Sequence, residues 1–441
     1  MSLKENERAR SKANKIDELM KCFYENGQFN GTILVAEKGK VLYKKAFGYA
    51  NLEWKIPNNL DTKFRIASVT KQFTAMLILQ LVTEGKLRLD GKVADYLPNY
   101  PKETGQKITI HHLLTHTSGI IGEPQVPNLE DIERMYYTKD EMLKYISEQK
   151  LLFEPGEGSQ YSNFGYYLIG LIIERVSGKS YEQFLKEKIC EPAGMKNTIP
   201  DVNAEIIEKR ASGYHYNYFT GPENAPLLDM SFVFSYGHLL STVEDLYLWD
   251  KALYTDKLLT KNDKEIFYKY YYGRVPARRW FSQSVPIGKT GDEITLNLLT
   301  GSINGFKSNI LRIERDKIFI AQLSNYKEPH NNIVVAYVDA DIDSRILAIL
   351  YDREYELPKK SAAYAVFQVL VKSGAQVAVE KYRDLYKNQH DRYYFNEDEF
   401  NTLAYKLYEV NKLKESIDLY KLIPENENAQ KMIKIIEEKM K

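Results

Sequence analysis

Apolar positions along this chain fall into two rhythms, one helical and one extended. The run Ala75-Met76-Leu77-Ile78-Leu79-Gln80-Leu81-Val82 is apolar almost all round, which predicts a buried helix that Gly85 ends. Phe164-Gly165-Tyr166-Tyr167-Leu168-Ile169-Gly170-Leu171-Ile172-Ile173-Glu174 predicts a second. Extended patterns lie on either side of this helical middle. Gly31-Thr32-Ile33-Leu34-Val35-Ala36 and Gly39-Lys40-Val41-Leu42-Tyr43 predict two strands joined by a tight turn at Glu37-Lys38-Gly39. Residues 280–287, 293–300, 305–313 and 317–323 predict four more strands, and 335–350 a long amphipathic helix. Near Leu357-Pro358-Lys359-Lys360 the organisation changes. Strand signals vanish, and residues 363–372, 375–387, 397–410, 412–422 and 429–441 predict amphipathic helices separated by Ser-Gly, Asn or Pro breaks. The domains expected are therefore 1–355 and a helical tail, 356–441.

The sequence around the first buried helix carries the sharpest chemistry. Ser68-Val69-Thr70-Lys71 sets a hydroxyl and an amine three residues apart at a helix start, on one face. A serine hydroxyl is a weak nucleophile until a neighbouring base takes its proton, and a desolvated lysine can be that base. The helix start adds unpaired backbone N–H groups that favour nearby negative charge. Alone, Ser-x-x-Lys is a weak signal.

Some ninety residues on, the turn-rich Glu154-Pro155-Gly156-Glu157-Gly158 leads into Tyr161-Ser162-Asn163 before the second apolar helix. One reading is a helix cap beside a core tyrosine. The other is a phenol that shuttles protons next to an amide that holds a substrate carbonyl or the lysine.

Taken together, the motifs resemble the serine beta-lactamase and penicillin-binding-protein superfamily, in the branch that also holds D-alanyl-D-alanine carboxypeptidases and esterases. The match runs from about Asn30 to about Tyr326, in order. It takes in Ser68-x-x-Lys71, Leu113-Leu114-Thr115-His116-Thr117-Ser118-Gly119, Pro155-Gly156, Tyr161-Ser162-Asn163, Tyr236-Gly237-His238-Leu239, Ser241-Thr242-Val243-Glu244-Asp245-Leu246 and Gly305-Phe306-Lys307-Ser308. The resemblance implies an α/β (α+β) fold: an antiparallel β-sheet flanked by helices, with an all-helical subdomain between about Ser68 and Tyr161. The active-site cleft would lie between these two lobes.

The same resemblance implies a Lys-Thr-Gly or His-x-Gly triplet on a core strand. Lys289-Thr290-Gly291 spells it, but starts 17 residues before Phe306. Counting back from Phe306 by the family's spacing gives Leu299-Thr300-Gly301. Residues 288–292 then read as a hairpin turn between strands 280–287 and 293–300. In this register Leu299 stands where a cation is expected, and the backbone N–H groups of Ser302 and Ser68 form the implied oxyanion hole. Losing the cation puts carboxylate recognition in doubt, and a hydrophobic wall there fits a neutral ester or amide better.

The implied mechanism is two-step acyl transfer. Ser68 attacks a carbonyl, Lys71 or Tyr161 takes the proton, and water releases the acyl-enzyme. Tyr161 acts as general acid/base, and Asn163 positions Lys71 and the substrate. The expected substrate is a small molecule or peptide with a scissile amide or ester. The alternative is a catalytically weak penicillin-binding or ligand-sensing member with the tail as its output. Ser68, Lys71, Tyr161 and Asn163 together favour the enzyme, because binding alone needs no nucleophile, base, proton shuttle and positioning amide at once.

Other chemistries fare worse. His112 and His116 have the i, i+4 spacing of a helical metal pair, but no Glu lies between them and no third ligand follows. No glycine-rich phosphate loop follows a strand, so no metal and no cofactor are expected. The 441 residues carry 61 Lys plus Arg against 60 Asp plus Glu, a net charge of +1, which argues for no nucleic-acid partner. Cys22 and Cys190, the two cysteines, make no disulfide scaffold. No apolar stretch reaches the roughly 18–20 residues that span a membrane. Residues 1–19 are too charged for an export signal. The resemblance alone leans toward work outside the cytoplasm.

Within the tail, Phe400-Asn401-Thr402-Leu403-Ala404-Tyr405-Lys406-Leu407 and Lys414-Glu415-Ser416-Ile417-Asp418-Leu419-Tyr420 resemble a tetratricopeptide-type helical pair, with Ala404 and Ser416 at the crossing. One repeat cannot bury a solenoid core. The tail is then either an appendage folded onto the catalytic domain or a docking arm for a protein partner.

Overall fold

The computed structural model describes residues 3–217, 219–260, 263–265, 267, 280–287, 292–327 and 338–441. The chain divides into two compact units. One comprises Met1–Asn14, Asn30–Tyr214 and Asn224–Lys327; the other comprises Lys15–Phe29, His215–Glu223 and Glu328–Lys441.

The first unit is built on a six-stranded antiparallel sheet in the order Trp280–Ile287, Asp292–Ile303, Phe306–Ile313, Ile318–Ser324, Gly31–Glu37, Lys40–Phe47. Strands from both ends of the unit thus meet, with Thr32 paired to Leu323 on one side and to Ala46 on the other. Position in the sheet explains composition. Ile318–Ser324 is buried throughout and Gly31–Glu37 nearly so, and both are mostly apolar strands with neighbours on either edge. The outer strand Lys40–Phe47 instead exposes Lys40 and Lys44, charges that resist pairing with another chain. Its turn is Lys38-Gly39, with φ of 53° and 69°, the positive pair that a two-residue hairpin needs. Gly31 is required by close approach, because a Cβ there would lie 1.9 Å from the Leu323 carbonyl oxygen.

The hairpin expected after residue 280 is present, with Ile287 opposite Asp292. The predicted turn residues Lys289-Thr290-Gly291 lie outside the described residues. So does the start of the helix predicted from 335, which is described as Val338–Leu350. Between Ser68 and Tyr161, where a helical subdomain was expected, the described residues hold helices, turns and a single isolated bridge, Lys92 with Thr109. At its centre, Thr70–Thr83 is buried at every position from Thr70 to Leu81 and packs on Asn163–Ser177. Thr74 fastens this core, its Oγ1 lying 2.7 Å from Tyr181 Oη and 2.5 Å from the Ser235 carbonyl oxygen.

In the second unit, helices Ala362–Ser373, Ala375–Asn388, Glu397–Glu409, Leu413–Tyr420 and Glu427–Lys439 match the five expected. Phe367, Leu385, Phe400, Leu407 and Tyr420 belong to their common core. Ala404 and Ser416 are both fully buried, and Ser416 Oγ donates to the Ala404 carbonyl oxygen at 2.7 Å. Two features escape the sequence pattern. A two-residue parallel ladder pairs Lys360-Ser361 with Tyr393-Tyr394, too short to show a period. The charged N-terminal stretch, weighed only as an export signal, is a helix, Leu3–Glu25. It buries Ile16, Leu19, Met20 and Phe23 at i, i+3, i+4, i+7 spacing.

Candidate active site

Ser68 stands on a turn held from three sides. Phe64–Arg65 pairs with Leu239–Ser241, and the Ile66 N–H donates to the Leu239 carbonyl at 2.9 Å. Ala67 then adopts φ 47°, a left-handed conformation costly for a residue with a Cβ, and Ala67–Val69 makes a single 3₁₀ turn into the buried helix. Opposite lies Asp292–Ile303. A Cβ on Gly301 would fall 2.3 Å from the Ile66 carbonyl oxygen and 3.1 Å from Ala67 Cβ, so this strand can pass the serine turn only with glycine here. Ser308, paired with Gly301, donates from its Oγ to the Ile66 carbonyl at 2.7 Å. Leu299-Thr300-Gly301 therefore runs beside Ser68. Strand alternation places Leu299 in the core, 1% exposed, and leaves Thr300 and Ser302 exposed. This corrects the expectation of an apolar wall: Leu299 lies in the core and presents no hydrophobic surface at the position where the resemblance implies a cation.

Lys71 and Tyr161 converge on the same hydroxyl. Ser68 Oγ lies 2.8 Å from Tyr161 Oη and 3.1 Å from Lys71 Nζ. Lys71 is fully buried, and its ammonium also donates to the Tyr236 carbonyl at 3.1 Å. The rings of Tyr161, Tyr236 and Tyr166 surround it at 5.0, 5.1 and 5.7 Å, a cation–π environment that supports charge out of water. Tyr236 itself is no proton carrier. Burial pushes its phenol well above the usual tyrosine range, and the Glu123 carboxylate, which accepts its hydrogen bond at 2.6 Å, pushes it further.

Ser162, not Asn163, caps the second buried helix: its Oγ accepts the Gly165 N–H at 3.0 Å. Asn163 is thereby released from capping. It is buried, and its Oδ1 holds no hydrogen bond among the described residues. The expected hold of Asn163 on Lys71 is supplied instead by the Tyr236 carbonyl.

The histidines serve the backbone. The helix at Ile110–Leu114 ends before His116, which takes φ 58°, so His112 and His116 do not share the helical face that a metal pair needs. His112 Nδ1 accepts the Thr109 N–H at 3.3 Å. His116 Nδ1 accepts the Ser162 N–H at 3.2 Å, and its ring centroid lies 4.6 Å from that of Tyr161. Burial, reinforced by the Lys71 ammonium, pushes His116 down to about 3, so it is neutral at ordinary pH. Sequence reading weighed His116 as half of a metal pair and as part of a motif, and Tyr236 only as part of a motif. A backbone carbonyl carries no residue-type signal, and only the spatial neighbours of Lys71 reveal it.

A serine hydroxyl between a buried amine and a phenol, on a strained turn beside a glycine strand, is an arrangement for moving one proton off one oxygen. Residues 13–343 match the family model described as Beta-lactamase. The chain belongs to the Beta-lactamase family. It is 30% identical over 384 residues to Penicillin-binding protein 4* of Bacillus subtilis (strain 168), covering 80% of this chain and 79% of that one. Among solved structures it is similar to the octameric penicillin-binding protein homologue from Pyrococcus abyssi, with TM-score 0.62 and 28% identity over 82% of this chain and 81% of that one. The D-amino acid amidase from Ochrobactrum anthropi SV3 shares the fold, with TM-score 0.63 and 23% identity over 78% of this chain and 99% of that one. This member of the Beta-lactamase family is a serine hydrolase with the antiparallel-sheet and helical-subdomain architecture of its relatives.

Proposed function

We propose that the chain cleaves small amide or ester substrates through an acyl-enzyme on Ser68. The observation that carries this reading is the meeting of Tyr161 Oη and Lys71 Nζ on Ser68 Oγ, at 2.8 and 3.1 Å. Ser68 Oγ bonds to the substrate carbonyl carbon as its proton passes to the base, either a Tyr161 phenolate beside the Lys71 ammonium or a neutral Lys71 amine beside the Tyr161 phenol. Collapse of the tetrahedral intermediate breaks the C–N or C–O bond, and the leaving group takes that proton. Water then attacks the ester, gives a proton to the same base, and Ser68 recovers its hydroxyl when the acid departs. The backbone N–H groups of Ser68 and Ser302 would stabilise the oxyanion, and Asn163 Oδ1 would accept from a substrate amide. With Leu299 in the core at the third motif, neutral acyl groups are favoured over those that carry a carboxylate. Residues 1–355 would form the catalytic domain. The helical pair at 397–420, tetratricopeptide-like in its small-residue crossing, would serve as a docking arm for a protein partner.

Turnover of p-nitrophenyl esters, a neutral D-amino acid amide and a penicillin, each with Ser68→Ala as control, tests this reading. Ester or amide turnover that exceeds penicillin turnover and vanishes in the variant is the expected result. Turnover that survives Ser68→Ala would remove the proposed nucleophile. Absence of all three activities would favour a ligand-sensing member.

A further inference from the structure

The short stretch that carries Tyr161 is held by a residue more than forty positions earlier in the chain. The His116 carbonyl oxygen accepts the Gln160 N–H at 3.0 Å, and His116 Nδ1 accepts the Ser162 N–H at 3.2 Å. The peptide N–H on each side of Tyr161 is thus bound to one residue. The imidazole also lies against the tyrosine ring, centroids 4.6 Å apart and planes at 38°, with Tyr166 on it at 5.2 Å. Flanking bonds extend the hold: the Gly156 N–H donates to the Thr117 carbonyl at 2.8 Å, and Ser162 Oγ donates to the Ile121 carbonyl at 2.9 Å.

We propose that His116 is a positioning residue for Tyr161, fixing the phenol toward Ser68 by gripping the backbone on both sides and backing the ring. The inference rests on the proton-carrying role proposed for Tyr161. Proton transfer needs the phenol oxygen within hydrogen-bond reach of Ser68 Oγ, and a displacement of about 1 Å costs on the order of 10²-fold in rate. Tyr161 sits in a loop, where the backbone alone provides no such precision. A group with an unprotonated nitrogen can accept the Ser162 N–H, and a neutral one adds no charge beside the Lys71 ammonium. Imidazole meets both needs. The left-handed backbone of His116, φ 58°, is also tolerated by asparagine, whose Oδ1 can take the place of Nδ1.

The test is the rate of Ser68 phosphonylation by a fluorophosphonate, resolved into kinact and KI, in His116→Asn, His116→Phe and His116→Gln, each with and without Tyr161→Phe. His116→Phe keeps a ring without the acceptor, and His116→Gln sets its acceptor too far out. Both are expected to lower kinact by about 10²-fold with KI unchanged, while His116→Asn recovers most of the rate. In the Tyr161→Phe background the His116 changes should cost little more, because they act through the missing hydroxyl. Should the Phe variant fail to fold, Gln against Asn makes the same comparison. Wild-type kinact in His116→Gln, equal losses in Asn and Gln, or the same loss with and without the Tyr161 hydroxyl would overturn the inference alone. Wild-type kinact in Tyr161→Phe would remove the role of Tyr161, and this inference with it.

Discussion

The two walls of the site are built on opposite principles. On one side Lys71 and Tyr161 are fixed by hydrogen bonds and rings from Tyr236, Tyr166 and His116, with Lys71 fully buried. On the other, the strand Asp292–Ile303 meets the serine turn closely at Gly301, exposes Thr300 and Ser302, and turns Leu299 inward. Moving a proton demands placement to a fraction of an ångström, so that wall is over-determined. Selecting an acyl group demands only a surface, so the strand wall can lose a charged side chain while its backbone keeps its course.

Perturbing each wall in turn sharpens the contrast. Lys71→Met should lower acylation by up to about four orders of magnitude with the fold retained, measured as burst rate alongside thermal melting. A loss confined to KM would contradict the assigned role. Gly301→Ala pushes a Cβ against the Ile66 carbonyl and should move the strand away from Ser68. The expected rate loss is about two to three orders of magnitude, that of a displaced oxyanion donor. Wild-type kinetics there would mean that the strand does not build the hole. Leu299→His sets an imidazole in the core and should lower stability by about 1–3 kcal/mol in denaturant unfolding, with the ratio of carboxylate-bearing to neutral substrate turnover unchanged. A rise of about tenfold in that ratio would mean that position 299 faces the substrate and would contradict its placement in the core. The smallest effect belongs to the helical unit, where Ser416→Ala loses its bond to the Ala404 carbonyl. It should cost about 1 kcal/mol in denaturant unfolding and leave kcat unchanged.

Much of this was legible in the sequence, and the reason differs from element to element. Thr70–Thr83 and Asn163–Ser177 carry long apolar stretches, 75–82 and 164–173, because they are enclosed, and that pattern is visible without a structure. The Lys38-Gly39 turn and the five tail helices carry local signals of their own. Ser68, Lys71, Tyr161 and Asn163 were found as motifs, and three of them do meet: Ser68, Lys71 and Tyr161 share hydrogen bonds. The capping role of Ser162, the Tyr236 carbonyl and the His116 grip were not legible. Each depends on which backbone group faces which neighbour, a relation set by tertiary packing between segments far apart in the chain. The direction of Leu299 was readable in principle, since strand alternation fixes it once Gly301 is placed.

Every residue role proposed above depends on Ser68 carrying the acyl group. Acid-quenching the protein with a p-nitrophenyl ester, measuring intact mass and mapping the modified peptide reads that group itself. The expected result is a mass increase equal to one acyl group, located on the peptide that contains Ser68 and absent in Ser68→Ala. An adduct on another residue, or ester turnover with Ser68 unmodified at every quench time and undiminished in Ser68→Ala, would contradict it.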